Sequence, residues 1–155
     1  AGVVAKMSYN GLTEYIAKIE ALNADMVGIS TKVVYSGADA TANAIRAEID
    51  QIPNNLLNSV QREGLKDGLG IAHIVTEGGK TNTRIGFNGY NELRVGKYRA
   101  KGQPNAMIAR VVAKGVSWRG GKYDFVKIAV RKARKQAQAA MQETFNEEIE
   151  KIMKG

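Results

Sequence analysis

Residues 71–87 read IAHIVTEGGKTNTRIGF. Two runs rich in β-branched residues, Ile71–Thr76 and Thr81–Phe87, flank EGGK, in which Gly78-Gly79 suit the positive φ of a tight hairpin turn. Twelve of the 17 glycines fall between Gly64 and Gly121, while the flanking segments are long, alanine-rich and nearly glycine-free. The pattern reads as helices, then strands and loops, then a helix. It predicts an α+β fold in which an antiparallel β-sheet is packed by a long helix in the N-terminal half and a long C-terminal helix, with a long basic loop between sheet and helix.

Outward from the hairpin, the N-terminal side carries two helical patterns. Leu12, Ile16, Ile19 and Leu22 recur at three or four residues, a short amphipathic helix with Asn10 as its cap and Asn23 at its end. A second helix is predicted from about Asp25 to Ile52, with Val34, Ala38, Ala42, Ile45, Ile49 and Ile52 on one stripe, Asp25 near its positive end and Pro53 beyond its stop. Its small-residue middle, Ser36–Ala44, allows close approach of another element or another subunit. On the C-terminal side, a loop is predicted from about Asn88 to Gln103, mobile until a partner orders it. Ala106–Ala113 (AMIARVVA) is an apolar element that periodicity leaves open between helix and strand. From about Tyr123 to Met153, Val126, Val130, Ala133, Ala137, Met141, Phe145, Ile149 and Ile152 recur at helical spacing. The 155 residues suit one domain, with an arm over 1–10, helices over 11–52, sheet and loops over 64–121 and the C-terminal helix over 123–153.

The net charge of +8 is unevenly placed. Residues 1–93 hold eight Lys/Arg against ten Asp/Glu, residues 94–135 hold thirteen against one, and residues 136–155 hold two against four. The whole excess therefore sits in one central stretch, which either keeps the protein soluble as a solvated face or meets an acidic surface or a phosphate backbone. At the start of the last helix, Lys127, Arg131, Arg134 and Lys135 oppose the macrodipole, so something other than helix electrostatics selects them.

Candidate chemistry is sparse. With no cysteine the chain has no disulfide, thiolate ligand or thiol nucleophile, and a single histidine, His73, rules out a zinc site built on imidazoles within one chain. GGKT (78–81) has Ile74 where a P-loop needs glycine, and a strand rather than a helix is expected after it. GVSWRGGK (115–122) has the wrong spacing and is followed by Tyr123 where a magnesium-binding hydroxyl belongs. His73 reads as a satisfied structural residue, and the paired carboxylates Glu147 and Glu148, and Glu48 and Asp50, read as solvated helix faces. No catalytic constellation, cofactor site or metal site emerges. Trp118 and Tyr123, interleaved with Arg119 and Lys122, suit either stacking on bases or anchoring of the loop at a fold or subunit interface. No apolar run reaches the roughly 18 residues of a membrane span, and Ala1–Met7 is too short for a secretory signal, which predicts synthesis in the cytoplasm.

Several short motifs fall in a recognisable order. Gly11-Leu12-Thr13-Glu14-Tyr15 follows a GLxEL-like pattern; a long alanine-rich helix ends at Pro53; Leu56-Leu57-Asn58-Ser59-Val60 corresponds to a TGxLxxSI-like segment without its Thr-Gly. Ile108–Gly115 (IARVVAKG) partly matches YAxxxExG, with Ala113 in place of the glutamate, and Asp124–Val130 (DFVKIAV) matches a PFLRPAL-like helix start in Phe125, Val126, Lys127 and Ala129. The chain thus resembles the small tail-component family of tailed bacteriophages, the gene-ten type, which sits at the neck or tail-completion position. That resemblance implies an α+β subunit without enzymatic activity or cofactor, assembled in the host bacterial cytoplasm into a homo-oligomeric ring of the virion, six subunits on the family pattern, between connector or stopper proteins and the tail tube. A tail terminator is the neighbouring alternative. A ring around a DNA channel needs basic groups that meet phosphates without reading bases, a role suited to Arg94, Lys97, Arg99, Lys101, Arg119 and Lys122. Trp118, Phe125, Val126 and Ala129 would then be the interface or core anchors. A non-viral basic nucleic-acid-binding protein is the reading that the charge alone supports.

Overall fold

A computed structural model describes residues 17, 20, 21, 23–77, 80–116 and 120–154. The architecture is α+β, with long helices in the N-terminal half and at the C-terminal end. The elements are α1 (Met26–Ile49), α2 (Ser59–Gly68), β1 (Leu69–Ile71), β2 (Val75–Glu77), β3 (Lys80–Asn82), β4 (Ile85–Phe87), a 3₁₀ turn (Gly96–Tyr98), α3 (Asn105–Lys114) and α4 (Phe125–Lys154).

The stripe on α1 forms as its spacing requires: Ile29, Ala38, Ala42, Ile45 and Ile49 are buried, and Ile52 follows them in the turn after the helix. Val34 is only half-buried and lines a cleft. Asp25 stands at the start of α1 as expected, in the cap position at φ −99 and ψ 8, with its N–H donating to the Ala21 carbonyl and its own carbonyl accepting from Ile29. Ala17, Glu20, Ala21, Asn23 and Ala24 are helical and Asp25 is a turn residue, so the helical stretch before α1 stops one residue past Asn23. The Asn10 cap and the stripe residues Leu12, Ile16, Ile19 and Leu22 lie outside the described residues. After α1 the Arg62 guanidinium donates to the carbonyls of Ile49 and Ile52 and to Asn54 Oδ1, closing the helix end with a cation where the dipole favours one.

The glycine-rich segment begins inside a helix rather than in the sheet. Asn58 Oδ1 accepts from Gln61 N at 2.8 Å and Gln61 Oε1 accepts from Asn58 N at 3.1 Å, a capping box that starts α2. Gly64 and Gly68 lie on the face of α2 that meets Asn91, Asn88 and Asn105, where side chains would collide. The expected hairpin follows as two antiparallel ladders, β1 with β4 and β2 with β3. Register passes from Ile71↔Ile85 to Val75↔Asn82, so three residues on one strand face two on the other. This bulge holds His73, which is exposed rather than buried, and Thr83 donates to the Ala72 carbonyl across it. Gly78 and Gly79 lie outside the described residues.

Ala106–Ala113 belongs to a helix, α3, with Ile108, Ala109, Val112 and Ala113 buried on one face. Gly115 ends it at φ +75, and Tyr123 N then donates to the Val112 carbonyl, returning the chain to the end of α3 so that α4 starts beside it. Phe125, fully buried, stands edge-on to Phe87 at 5.8 Å in a core with Ile45, Ile49, Leu57, Leu65 and Val112. Asp124 relieves the basic start of α4 by accepting from Lys127 N. The buried face of α4 runs Phe125, Ala129, Ala133 and then Glu148, while Val130, expected inside, is 42% exposed. Val126 packs at the core edge and Val130 faces the cleft, because the buried line winds around α4 as it crosses α1 and does not follow one straight stripe.

Candidate nucleic-acid interface

The loop after β4 is clasped at its base. Tyr90 bridges Pro104, Asn91 N donates to the Gln103 carbonyl at 2.9 Å, and Asn91 Oδ1 accepts from Leu93 N at 2.9 Å and Gln103 N at 3.1 Å. Gln103 Oε1 accepts from Asn91 Nδ2 and from Gln61 Nε2, which ties the clasp to α2. Below it, Asn105 Nδ2 donates to the Asn88 carbonyl at 2.9 Å and Asn88 N to the Gly68 carbonyl at 2.8 Å. Gly102, at φ +90, passes so close that a Cβ would sit 1.9 Å from the Asn91 carbonyl oxygen. Tyr90–Pro104 is therefore an Ω-loop on a fixed footing, a correction to the free loop expected over Asn88–Gln103. A run of short-range polar bonds from asparagines and glutamines produces it, and periodicity does not register such bonds.

The loop carries Arg94, Lys97, Arg99 and Lys101, all exposed and none ion-paired among the described residues. Lys97 Nζ lies 5.4 Å from the Tyr98 ring centre and Lys101 Nζ 5.8 Å from that of Tyr90, and Tyr98 OH reaches Met107 Sδ, which seats the loop on the first turn of α3. Lys122 is exposed at the other end of α3, next to Gly115. With α3 about 15 Å long, the structure separates Lys122 from the loop cations rather than gathering them. Arg119 and Trp118 lie outside the described residues. Of the other anchors, Phe125 and Ala129 are fully buried and Val126 is partly so.

Two of the carboxylates expected on solvated helix faces are buried instead. Glu48, 4% exposed, accepts from Lys132 Nζ at 2.8 Å and from Tyr123 OH; burial pushes its carboxyl up, but these two hydrogen bonds and the lysine charge outweigh burial and hold it below the ordinary range. The Tyr123 hydroxyl is raised by the same carboxylate and then by burial. Glu148, also buried, is lowered by hydrogen bonds from Lys151 and Lys32. Both glutamates fall on the apolar stripes, Glu48 three residues after Ile45 and Glu148 three after Phe145, a position that marks them as inward-facing. Tyr123 is thus occupied in the fold rather than free to stack on bases.

Chemically, the loop offers exposed cationic groups that can meet phosphates. Lys80–Asn82 continues from the GGKT turn as a strand, so no helix N-terminus is aimed at a phosphate there. Among the described residues no group of three or more His, Asp or Glu side chains could hold a metal ion, and no helix is long and apolar enough to cross a membrane. Comparison with protein-family models, curated proteins and solved structures finds no match to this chain.

Proposed function

We propose that this chain is a structural protein of a tailed-phage virion, a subunit of the ring that joins head to tail around the DNA channel. The observation that carries the polyanion-facing part is the Tyr90–Pro104 loop, with four exposed cations that have no ion pair among the described residues, on a base fixed by the Asn91–Gln103 clasp. Cations carried on a loop with a fixed footing suit a conduit through which every sequence must pass, where phosphates are met whatever the bases. The placement in the neck rests on the motif resemblance. Three of its segments, Leu56–Val60, Ile108–Gly115 and Phe125–Ala129, fall at the α2 cap, along α3 and at the α4 start, where their apolar residues feed one core; Gly11–Tyr15 lies outside the described residues. Electron microscopy and native mass spectrometry of the purified protein, alone and with tail tubes of the encoding phage, test the reading. Rings on the tail end are expected, and a monomer indifferent to tails overturns it.

The same loop cations favour a second reading, a free nucleic-acid-binding protein. It predicts duplex binding by the isolated subunit whose log affinity falls with log salt at a slope of about −3 to −4 for four phosphate contacts. Replacing Lys97, Arg99 and Lys101 with glutamate abolishes that binding, whereas under the neck reading the free subunit binds little and the same variant loses assembly or DNA retention.

A further inference from the structure

A pocket of about 280 Å³ opens between α2 and the foot of the Tyr90–Pro104 loop, lined among others by Val60, Glu63, Asp67, Tyr90 and Glu92. The three carboxylates are exposed and have no ion pair among the described residues. Tyr90 and Val60 are exposed as well, so acid here rims an apolar surface. The Tyr90 ring already meets one cation, Lys101 Nζ at 5.8 Å, which leaves three negative groups against one positive. Part of the wall is bare backbone at Gly64. Against it stands Asn105 Oδ1, 2.6 Å from where a Cβ on Gly64 would lie, in a side chain 2% exposed and with no hydrogen-bond partner for that oxygen among the described residues. An unpartnered carbonyl oxygen behind the wall adds to the negative potential, so the pocket calls for cations carried beside an apolar group.

The chain carries such a surface on α4. Lys127, Arg131 and Arg134 recur at four and three residues and form one stripe, its members about 5–6 Å apart, with the exposed Val130 beside it. All three are exposed and have no ion pair among the described residues. The stripe begins in the first turn of α4, where the helix dipole disfavours cations, so acid laid over it offsets a standing cost. On α2, Glu63 and Asp67 stand four residues apart, the same one-turn spacing, so two carboxylates on one helix match two cations on the other. Within one chain α2 packs on α1, α3 and β4 while α4 packs along α1, and no ion pair links α2 to α4 among the described residues.

We infer that the basic stripe of α4 in one copy docks at the α2–Tyr90 pocket of a second copy, with Arg131 and Arg134 meeting Glu63 and Asp67 and Val130 covering Val60 and Tyr90. The two surfaces differ, so the contact passes head to tail and closes a ring when the rotation allows. Docking also covers three carboxylates at the foot of a loop that meets phosphates, where left bare they would repel the polyanion. The inference rests on the proposed ring in taking copies of the chain to associate.

Two full-length variants test it, one with Glu63→Lys and Asp67→Lys, the other with Arg131→Glu and Arg134→Glu. All four positions are exposed, so both variants keep the fold, which melting curves check. Self-association is read by sedimentation of the free protein and by ring loading on tails of the encoding phage. Each variant alone should associate at least about tenfold more weakly than the wild type, because like charges then face each other. Mixed in equal amounts they should associate again, since each presents the opposite charge to the other on both surfaces, and the chain carrying all four substitutions should recover likewise. Either variant associating as tightly as the wild type overturns the inference, and so does a mixture that fails to recover. If the variants still form wild-type rings, the docking is wrong and the ring stands; if the mixture recovers but the assemblies ignore tails, the docking stands and the neck assignment falls. A wild-type chain that stays monomeric both free and on tails overturns the two together.

Discussion

Gly102 shows how much one backbone position can decide. Its φ of +90 and its approach to Asn91 leave no room for a side chain, so Gly102→Ala both strains the backbone and pushes the clasp open. We expect a loss of about 2–3 kcal/mol in chemical denaturation, together with new proteolytic cleavage between Tyr90 and Pro104. An alanine variant as stable and protease-resistant as the parent would show that the footing of the loop lies elsewhere. Gly64 is constrained likewise: a Cβ there would sit 2.6 Å from Asn105 Oδ1 and from Asn91 Cβ. The sequence shows both as glycines in a glycine-rich stretch. Which glycines are essential depends on what passes close to them, and that proximity joins residues distant along the chain.

Among the elements, α4 separates what spacing reveals from what packing decides. The three-and-four repeat from Val126 to Ile152 announces a long amphipathic helix, and α4 covers Phe125–Lys154. The repeat does not say which residues turn inward at each level, because a straight helix crossing another drifts relative to any fixed stripe. Ala133 is 2% exposed and Val130 42%. Ala133→Leu should therefore cost about 1–3 kcal/mol by overpacking, while Val130→Leu should stay within about 0.5 kcal/mol; thermal melts of the two variants compare them directly, and equal effects would contradict the rotation. The hairpin was legible from its β-branched runs and glycine turn. The bulge that splits it was not, since one extra residue leaves no compositional trace. Of the candidate interface, the basic residues were legible from charge counting, whereas the clasp that fixes four of them and the length of α3 that separates Lys122 were not.

For the whole molecule, the two long helices are tied by carboxylates held below their ordinary pKa of 4.5, Glu48 by Lys132 and Tyr123, and Glu148 by Lys151 and Lys32. A carboxyl depressed on folding contributes stability that is present above its unfolded pKa and lost as pH falls through the folded value. The melting temperature should therefore hold from neutral pH down to about 5 and decline below about 4.5, with a shallower decline in Glu48→Gln; an acid slope unchanged by that substitution would remove Glu48 from the account. The raised Tyr123 hydroxyl acts in the opposite direction, its contribution present below its ordinary 10.0 and lost as pH rises through the folded value. Local spacing, glycine placement and charge order were enough by themselves to establish two long helices around a hairpin and one basic stretch, because each depends on neighbours a few residues apart. Only the tertiary structure decided which cations meet Glu48 and Glu148, that the basic loop stands on a fixed base, and that the α1–α4 seam leaves an open apolar groove. Each of those depends on groups brought together from across the chain, and no local pattern records such meetings.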